Sequence, residues 1–369
     1  MNRSHSGAWW SCMAITAAMA LFGASAFSAA AATQPMTDAT EESLTARSRF
    51  LMGTPFAITV AGAVDESCFT SAFDEVARLE AIMSNWMHDS EMSRLNRAAA
   101  SGSNEVVCSP ELFDAIDAAL RWAERSGGAF DPTVEPLVRD LGLRDRSGRL
   151  PGEAPATEPA GAASGMPARA PIGWRNVVLD PRRRTVRFAT PGAAIDLGGI
   201  GKGIALDAAA RVLKEAGVRA ALLDFGGQAL AFGPRDGAPG WTVAIADPGD
   251  RSRVAAVVVI GEGSLATSGN GERSIPSREG PVGQILDPAS RRPAPFTGSV
   301  TVAAGNATDA DALSTALFVM GPERGSRWAE EQDIAALFLW REAQAGPLVR
   351  ETSRFRSRFE DRESTERNR

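Results

Sequence analysis

Residues 309–321 read DADALSTALFVMG. Ala312, Leu313, Ala316, Leu317, Phe318, Val319 and Met320 give the segment an apolar body with helical spacing. It opens with two carboxylates, Asp309 and Asp311, and Thr315 stands one helical turn after Asp311. Residues i and i+4 share a helix face, so a carboxylate and a hydroxyl aim at one object. The competing local reading is that Asp309 or Asp311 caps the helix and meets the positive end of its dipole.

Outward from this helix, strands and helices alternate without a strict βαβ order. A first strand, "RFLMGTPFAITVAG" (49–62), is broken at Gly53–Thr54. "FTSAFDEVARLEAIMSNW" and "SPELFDAIDAALRWAERSGG" read as helices, the second with a Ser-Pro start and a Gly-Gly stop. "NVVLDPRRRTVRFA" (176–189) reads as a hairpin, "IGKGIALDAAARVLKEAGV" (200–218) as a helix and "RAALLDF" (219–225) as the strand after it. "WTVAIADP", "VAAVVVIG", "VTVAAG" and "IAALFLW" are further strands. The fold class is therefore α+β, with mixed, largely antiparallel sheets packed with helices.

The 369 residues are 44% hydrophobic and 23% charged, an ordinary globular balance. A net charge of −6 argues against a nucleic-acid partner. The N-terminus has one Arg, an apolar run from Met13 to Phe22 and Ala-x-Ala options between Ala24 and Ala32. This is the pattern of a secretory signal peptide over residues 1–32, and it implies an exported chain. The run is too short for a good membrane anchor. Residues 144–172 read as a flexible insertion within a domain of residues 33–355, and 356–369 as a charged, frayed tail.

Export permits a disulfide between Cys68 and Cys108, although two cysteines make no framework. His88 is the sole histidine after removal of the signal, which nearly excludes a Ser-His-Asp triad or a zinc site. Chemistry must rest on carboxylates, Lys, hydroxyls and backbone.

Four clusters can carry that chemistry. "AIDLGGIGKGIALD" (194–207) runs from a strand through glycines into a helix bearing Lys202, and a helix N-terminus with an added Lys suits phosphate. It does not have the Walker order. "LDFGGQ" (223–228) is a Gly-Gly turn, "LATSGNGE" (265–272) offers hydroxyls in a loop, and "QILDPAS" (284–290) places Asp287 before Pro, as in many turns.

Taken together and in order, "MGTPF", "MSNWMHDSEMSRLN", "GGAFDPTVEPLV", "IDLGGIGKGIALD", "LLDFGGQ", "LATSGNGER", "QILDP" and "DADALSTALFVMG" resemble the ApbE flavin transferase family across residues 50–322. The resemblance implies an ApbE-like fold with an FAD cleft between two lobes and Mg²⁺ at the pyrophosphate. It assigns the metal to Asp311, Thr315 and the Gly199 carbonyl, which leaves Asp309 as the better cap candidate. It assigns FAD to Met52, Trp86, Ala129, Phe130, Asp131, Asp196, Lys202 and Ile285, with Thr267 in the hydroxyl cluster. Trp86 stands where the family often has Tyr; its other reading is a core aromatic. Lys202 requires a partner, either phosphate or Asp207.

The implied reaction transfers FMN from FAD to a Thr or Ser hydroxyl of a target protein and releases AMP. The target class includes membrane-bound electron-transfer complexes met in the periplasm. The family usually has His at the position of Gln284, and glutamine accepts no proton at working pH. Lys202, Gln284 and Asp287 are the candidate catalytic residues, with Asp287 the alternative base. An FAD pyrophosphatase and a noncatalytic flavin-binding protein stay open as alternatives.

Overall fold

The computed structural model describes residues 43–101, 105–144, 171–270, 274–277, 280–342 and 346–366. The expected signal peptide, and residues 145–170 of the expected insertion, lie outside them. The strands are β1 (Leu44–Leu51), β2 (Thr54–Ala61), β3 (Val106–Val107), β4 (Val177–Asp180), β5 (Thr185–Phe188), β6 (Ala221–Asp224), β7 (Gln228–Phe232), β8 (Trp241–Asp247), β9 (Asp250–Ile260), β10 (Gly263–Gly269), β11 (Ser274–Ser277), β12 (Gly280–Gly283), β13 (Leu286–Asp287), β14 (Arg292–Pro293), β15 (Gly298–Ala304), β16 (Ala335–Glu342) and β17 (Gly346–Glu351). The helices are α1 (Glu66–Met83), α2 (Glu91–Ala100), α3 (Pro110–Arg125), α4 (Glu135–Asp140), α5 (Gly201–Glu215), α6 (Ala307–Glu331) and α7 (Ser353–Glu366).

An eight-stranded sheet in the order β1-β2-β6-β7-β10-β15-β16-β17 is the backbone of the fold, and each neighbouring pair is antiparallel. Strand alternation sends side chains to opposite faces, and both faces are covered. From β16, Ala336 and Phe338 enter one core and Ala335, Leu337 and Leu339 the other. The first core is closed by α1, α2, α3, α5 and α6, through residues such as Phe69, Val76, Leu95, Ile116, Leu206 and Leu317. The second is closed by Trp241, Ile245, Val258 and Ile260 of the β8–β9 ribbon and by Phe355 of α7. The α+β reading with largely antiparallel strands holds. The described residues from 43 to 366 pack as one unit.

Several local expectations are corrected. Residues 49–62 are not one broken strand but the hairpin β1–β2, because Met52 and Gly53 both take positive φ (46° and 74°) and form a two-residue turn. Residues 194–196 join no ladder, and the hydroxyls of "LATSG" lie on β10 rather than in a loop. The charged tail is helical through Glu366 because the buried Phe355 anchors its first turns. Asn306, not Asp309, caps α6: its Oδ1 accepts from Asp309 N at 2.8 Å. The helix continues past the quoted segment, with a break at Gly321 (φ 72°) before Pro322. Cys68 and Cys108 are free, buried thiols, and burial pushes Cys108 up to about 12, so it is unreactive.

Candidate active site

The site begins where α5 meets α6. Ile200 stands at the N-cap of α5 and supplies no side-chain cap, so its first-turn N–H groups need other partners. One partner is Asp311, whose Oδ2 accepts from Gly203 N at 3.0 Å. Asp311 is thus a cap for the neighbouring helix, not its own, and it is only 5% exposed. This approach requires glycine at 203, since a Cβ there would run into the Ala307 carbonyl of α6. At Gly199 a Cβ would lie 3.1 Å from Thr315 Oγ1 and 3.1 Å from Phe130 Cε2. Gly199 therefore lies against Thr315, one helical turn from Asp311, which reaches Gly203.

The donor chemistry of this spot fits Mg²⁺. It offers hard oxygens only: a carboxylate, a hydroxyl and a backbone segment held against them. Among the described residues no group of three or more His, Cys, Asp or Glu could hold a metal. A sparse protein donor set is what Mg²⁺ uses when waters and substrate phosphates complete its octahedron.

Lys202, in the first turn of α5, is half-buried. Asp207 does not serve it: that carboxylate accepts from Ala307 N (2.8 Å), Thr308 N (2.9 Å) and Thr308 Oγ1 (2.6 Å), tying α5 to the start of α6. Asp224, at the end of β6, lies within reach of the Lys202 charge. Asp224 is reached by solvent yet closely surrounded by protein, as on a cleft wall. That surrounding raises its carboxyl pKa, while the Gly226 N–H and Lys202 oppose the rise. The β6–β7 turn in turn touches the β1–β2 hairpin, with Thr54 packed on Gly226, and Met52 at that hairpin's turn packs on the main core. The β6–β7 turn also holds β10, through Thr267 N to Gly227 O at 3.0 Å. Thr267 Oγ1 pairs with Thr301 Oγ1 at 2.8 Å.

Trp86 is 55% exposed, so it is no core aromatic. The Arg144 guanidinium lies 4.6 Å from its ring centre and bonds Asp196 at 2.7 Å. The same guanidinium pairs with buried Glu135. Burial, and then the charge of Asp196, push the Glu135 carboxyl up to about 7 against the pull of Arg144 and Arg139. Phe130 is buried after the Gly127–Gly128 turn, next to Ala129. The Asp131 carboxylate is engaged within the fold, by Thr133 N (2.8 Å), Thr133 Oγ1 (2.6 Å) and Trp174 N (3.0 Å).

Gln284 is exposed at the bend before β13, and Ile285 packs on the main core. A Cβ on Gly283 would lie 3.0 Å from Asn270 Oδ1, so this loop borders the end of β10 that carries Thr267 and Ser268. Asp287 forms the turn expected from Asp-Pro: its Oδ1 accepts from Ala289 N at 2.9 Å. Sequence reasoning missed Asp224, Ser268 and the Arg144–Glu135 pair. The first two lay inside quoted motifs, whereas the partnership of Arg144 has no local signal.

A helix start fronted by lysine, facing an oxygen-only cation spot and flanked by an exposed indole, suits a phosphorylated ligand with a flat ring. A model of the ApbE family matches residues 52–338. The FAD:protein FMN transferase of Klebsiella pneumoniae (strain 342) is 31% identical over 300 residues, covering 79% of this chain and 83% of that protein. The enzyme of the same name from Treponema pallidum (strain Nichols) is 32% identical over 285 residues, covering 73% and 77%. The apo crystal structure of the Pseudomonas stutzeri flavinyl transferase ApbE superposes with a TM-score of 0.72 at 28% identity, covering 88% of this chain and 99% of that one. The Thermotoga maritima ApbE protein gives 0.74 at 26% identity, covering 86% and 99%. This chain belongs to the ApbE family.

Proposed function

We propose that this ApbE-family enzyme transfers FMN from FAD to a Thr or Ser hydroxyl of a target protein in the periplasm and releases AMP. The observation that carries the reading is Gly199 held against Thr315, one turn from Asp311, at the start of the helix that bears Lys202. The acceptor oxygen bonds to the FMN-side phosphorus, the pyrophosphate P–O bond breaks, and AMP leaves with the bridging oxygen. Asp311, Thr315 and the Gly199 carbonyl would hold Mg²⁺, which when bound neutralises charge building on the phosphates. Lys202 binds the pyrophosphate as a point charge, with the Asp224 carboxylate within reach of its field. Trp86, steadied on one face by Arg144, stacks the flat ring on the other. Gln284 orients the acceptor hydroxyl by hydrogen bonding, and Asp287 is the nearest carboxylate in sequence to take its proton. Export rests on the N-terminal pattern, and membrane-bound flavoprotein complexes are the target class.

The test is mass spectrometry of the mature chain incubated with FAD, Mg²⁺ and an exported flavoprotein fragment containing Thr and Ser. An FMN phosphoester on the fragment, with AMP released, is expected. Free FMN with AMP would instead identify a pyrophosphatase, and intact FAD a noncatalytic binder.

A further inference from the structure

Three hydroxyls on β10 and α6 form a chain whose direction follows from proton counting. Ser314 Oγ lies 2.9 Å from the Asp311 backbone carbonyl. A carbonyl only accepts, so Ser314 commits its single proton there. Ser268 Oγ lies 2.8 Å from Ser314 Oγ. With the Ser314 proton already used, the proton of this bond must come from Ser268. Ser268 Oγ is also 3.4 Å from Thr315 Oγ1, long for a hydroxyl pair, and here Ser268 can only accept. The protons therefore run from Thr315 to Ser268 to Ser314 to the Asp311 carbonyl. Ser268 and Ser314 are both buried, so water does not compete for these contacts.

We infer that Ser268 is a positioning residue that draws the Thr315 proton away from the cleft and leaves the Thr315 lone pairs for a divalent cation. The inference rests on the reading of Thr315 as a cation ligand. A hydroxyl binds a cation through its oxygen lone pairs, so a proton turned into the cleft opposes binding. Ser314 matters for the same reason: without it, the Ser268 proton is released to turn onto Thr315.

The test is Mn²⁺ affinity, read by electron paramagnetic resonance on the full mature chain with FAD and no acceptor. Ser268→Ala is expected to weaken Mn²⁺ binding about two- to threefold, the low end for a hydrogen bond, in keeping with the 3.4 Å contact. FAD affinity in excess EDTA stays unchanged, and Ser268→Thr, which keeps a hydroxyl, restores Mn²⁺ affinity. Ser314→Ala weakens Mn²⁺ in the same direction, and it carries the test if Ser268→Ala does not fold. In a Thr315→Val background Ser268→Ala has no further effect, because its action passes through the missing hydroxyl. Wild-type Mn²⁺ affinity in Ser268→Ala, or an equal loss in both backgrounds, overturns the inference and leaves the ligand assignment standing. Unchanged Mn²⁺ affinity in Thr315→Val alone overturns the ligand assignment and the inference with it.

Discussion

Asp311 carries two duties at one carboxylate. It satisfies an amide of α5 and stands at the candidate cation spot. Asp311→Asn keeps a carbonyl that can accept from Gly203 N but removes the charge. The expected outcome is a folded protein whose Mg²⁺ requirement rises at least tenfold, measured as transfer rate against Mg²⁺ concentration; an unchanged requirement would remove Asp311 from the ligand set. Lys202→Gln should weaken FAD binding about tenfold or more while leaving riboflavin binding unchanged, because a charge-assisted phosphate contact is worth about 1.5–3 kcal/mol. Calorimetry with both ligands checks this, and an equal loss for both would place Lys202 away from the phosphates. If a base at position 284 is what transfer lacks, Gln284→His accelerates single-turnover transfer, most above about pH 6.5 where imidazole is neutral; if Gln284 only orients the acceptor, that variant is neutral or slower. Asp287→Asn is expected to slow transfer while FAD stays bound. Full activity in Asp287→Asn with no gain in Gln284→His would leave positioning and charge as the whole of catalysis.

The decisive element is the crossing of α5 and α6. Asp207 and Gly203 on one helix and Ala307, Thr308 and Asp311 on the other fix their spacing. Gly203→Ala, although it raises helix propensity, should destabilise the protein by roughly 1–3 kcal/mol because its methyl meets backbone that cannot move alone. Urea denaturation measures the loss, and a stabilised variant would show that the crossing yields. The elements themselves were largely legible. The Ser109–Pro110 start of α3 and the 3.6-residue period of α1 are local signals, and both helices formed. The hairpin turn at Met52–Gly53 was not, because a positive φ at Met52 contradicts that residue's own preference and is imposed by strand pairing. The cap of α6 was misread for a similar reason: Asp309 is held by Trp122 Nε1 at 2.8 Å, from a helix remote in sequence.

At the scale of the molecule, burial of Glu135 couples stability to pH. Its carboxyl is pushed from 4.5 up to about 7. The folded protein therefore keeps this proton to higher pH than the unfolded chain, and this group's contribution falls as pH rises from 4.5 to about 7. The slope is at most about 1.4 kcal/mol per pH unit. Urea midpoints at pH 5 and pH 7.5 should differ less in Glu135→Gln than in the native protein. An identical difference in both would mean that Arg144 and Arg139 hold the carboxylate ionised throughout.

What the sequence by itself determined is whatever lies within one or two turns of chain. The Asp311–Thr315 pair shares a face because helix geometry alone puts it there. The glycines at 199 and 203 could be read as a helix start because that pattern is local. What only the tertiary structure decided is which groups these residues meet. Asp311 finds an amide 108 residues away. Asp207, five residues after Lys202, is tied instead to the start of α6. Arg144 reaches across to Trp86 and Asp196. Each of these depends on the distance between packed elements, which is set by side-chain volume and burial over the whole core and so leaves no periodic mark in the sequence.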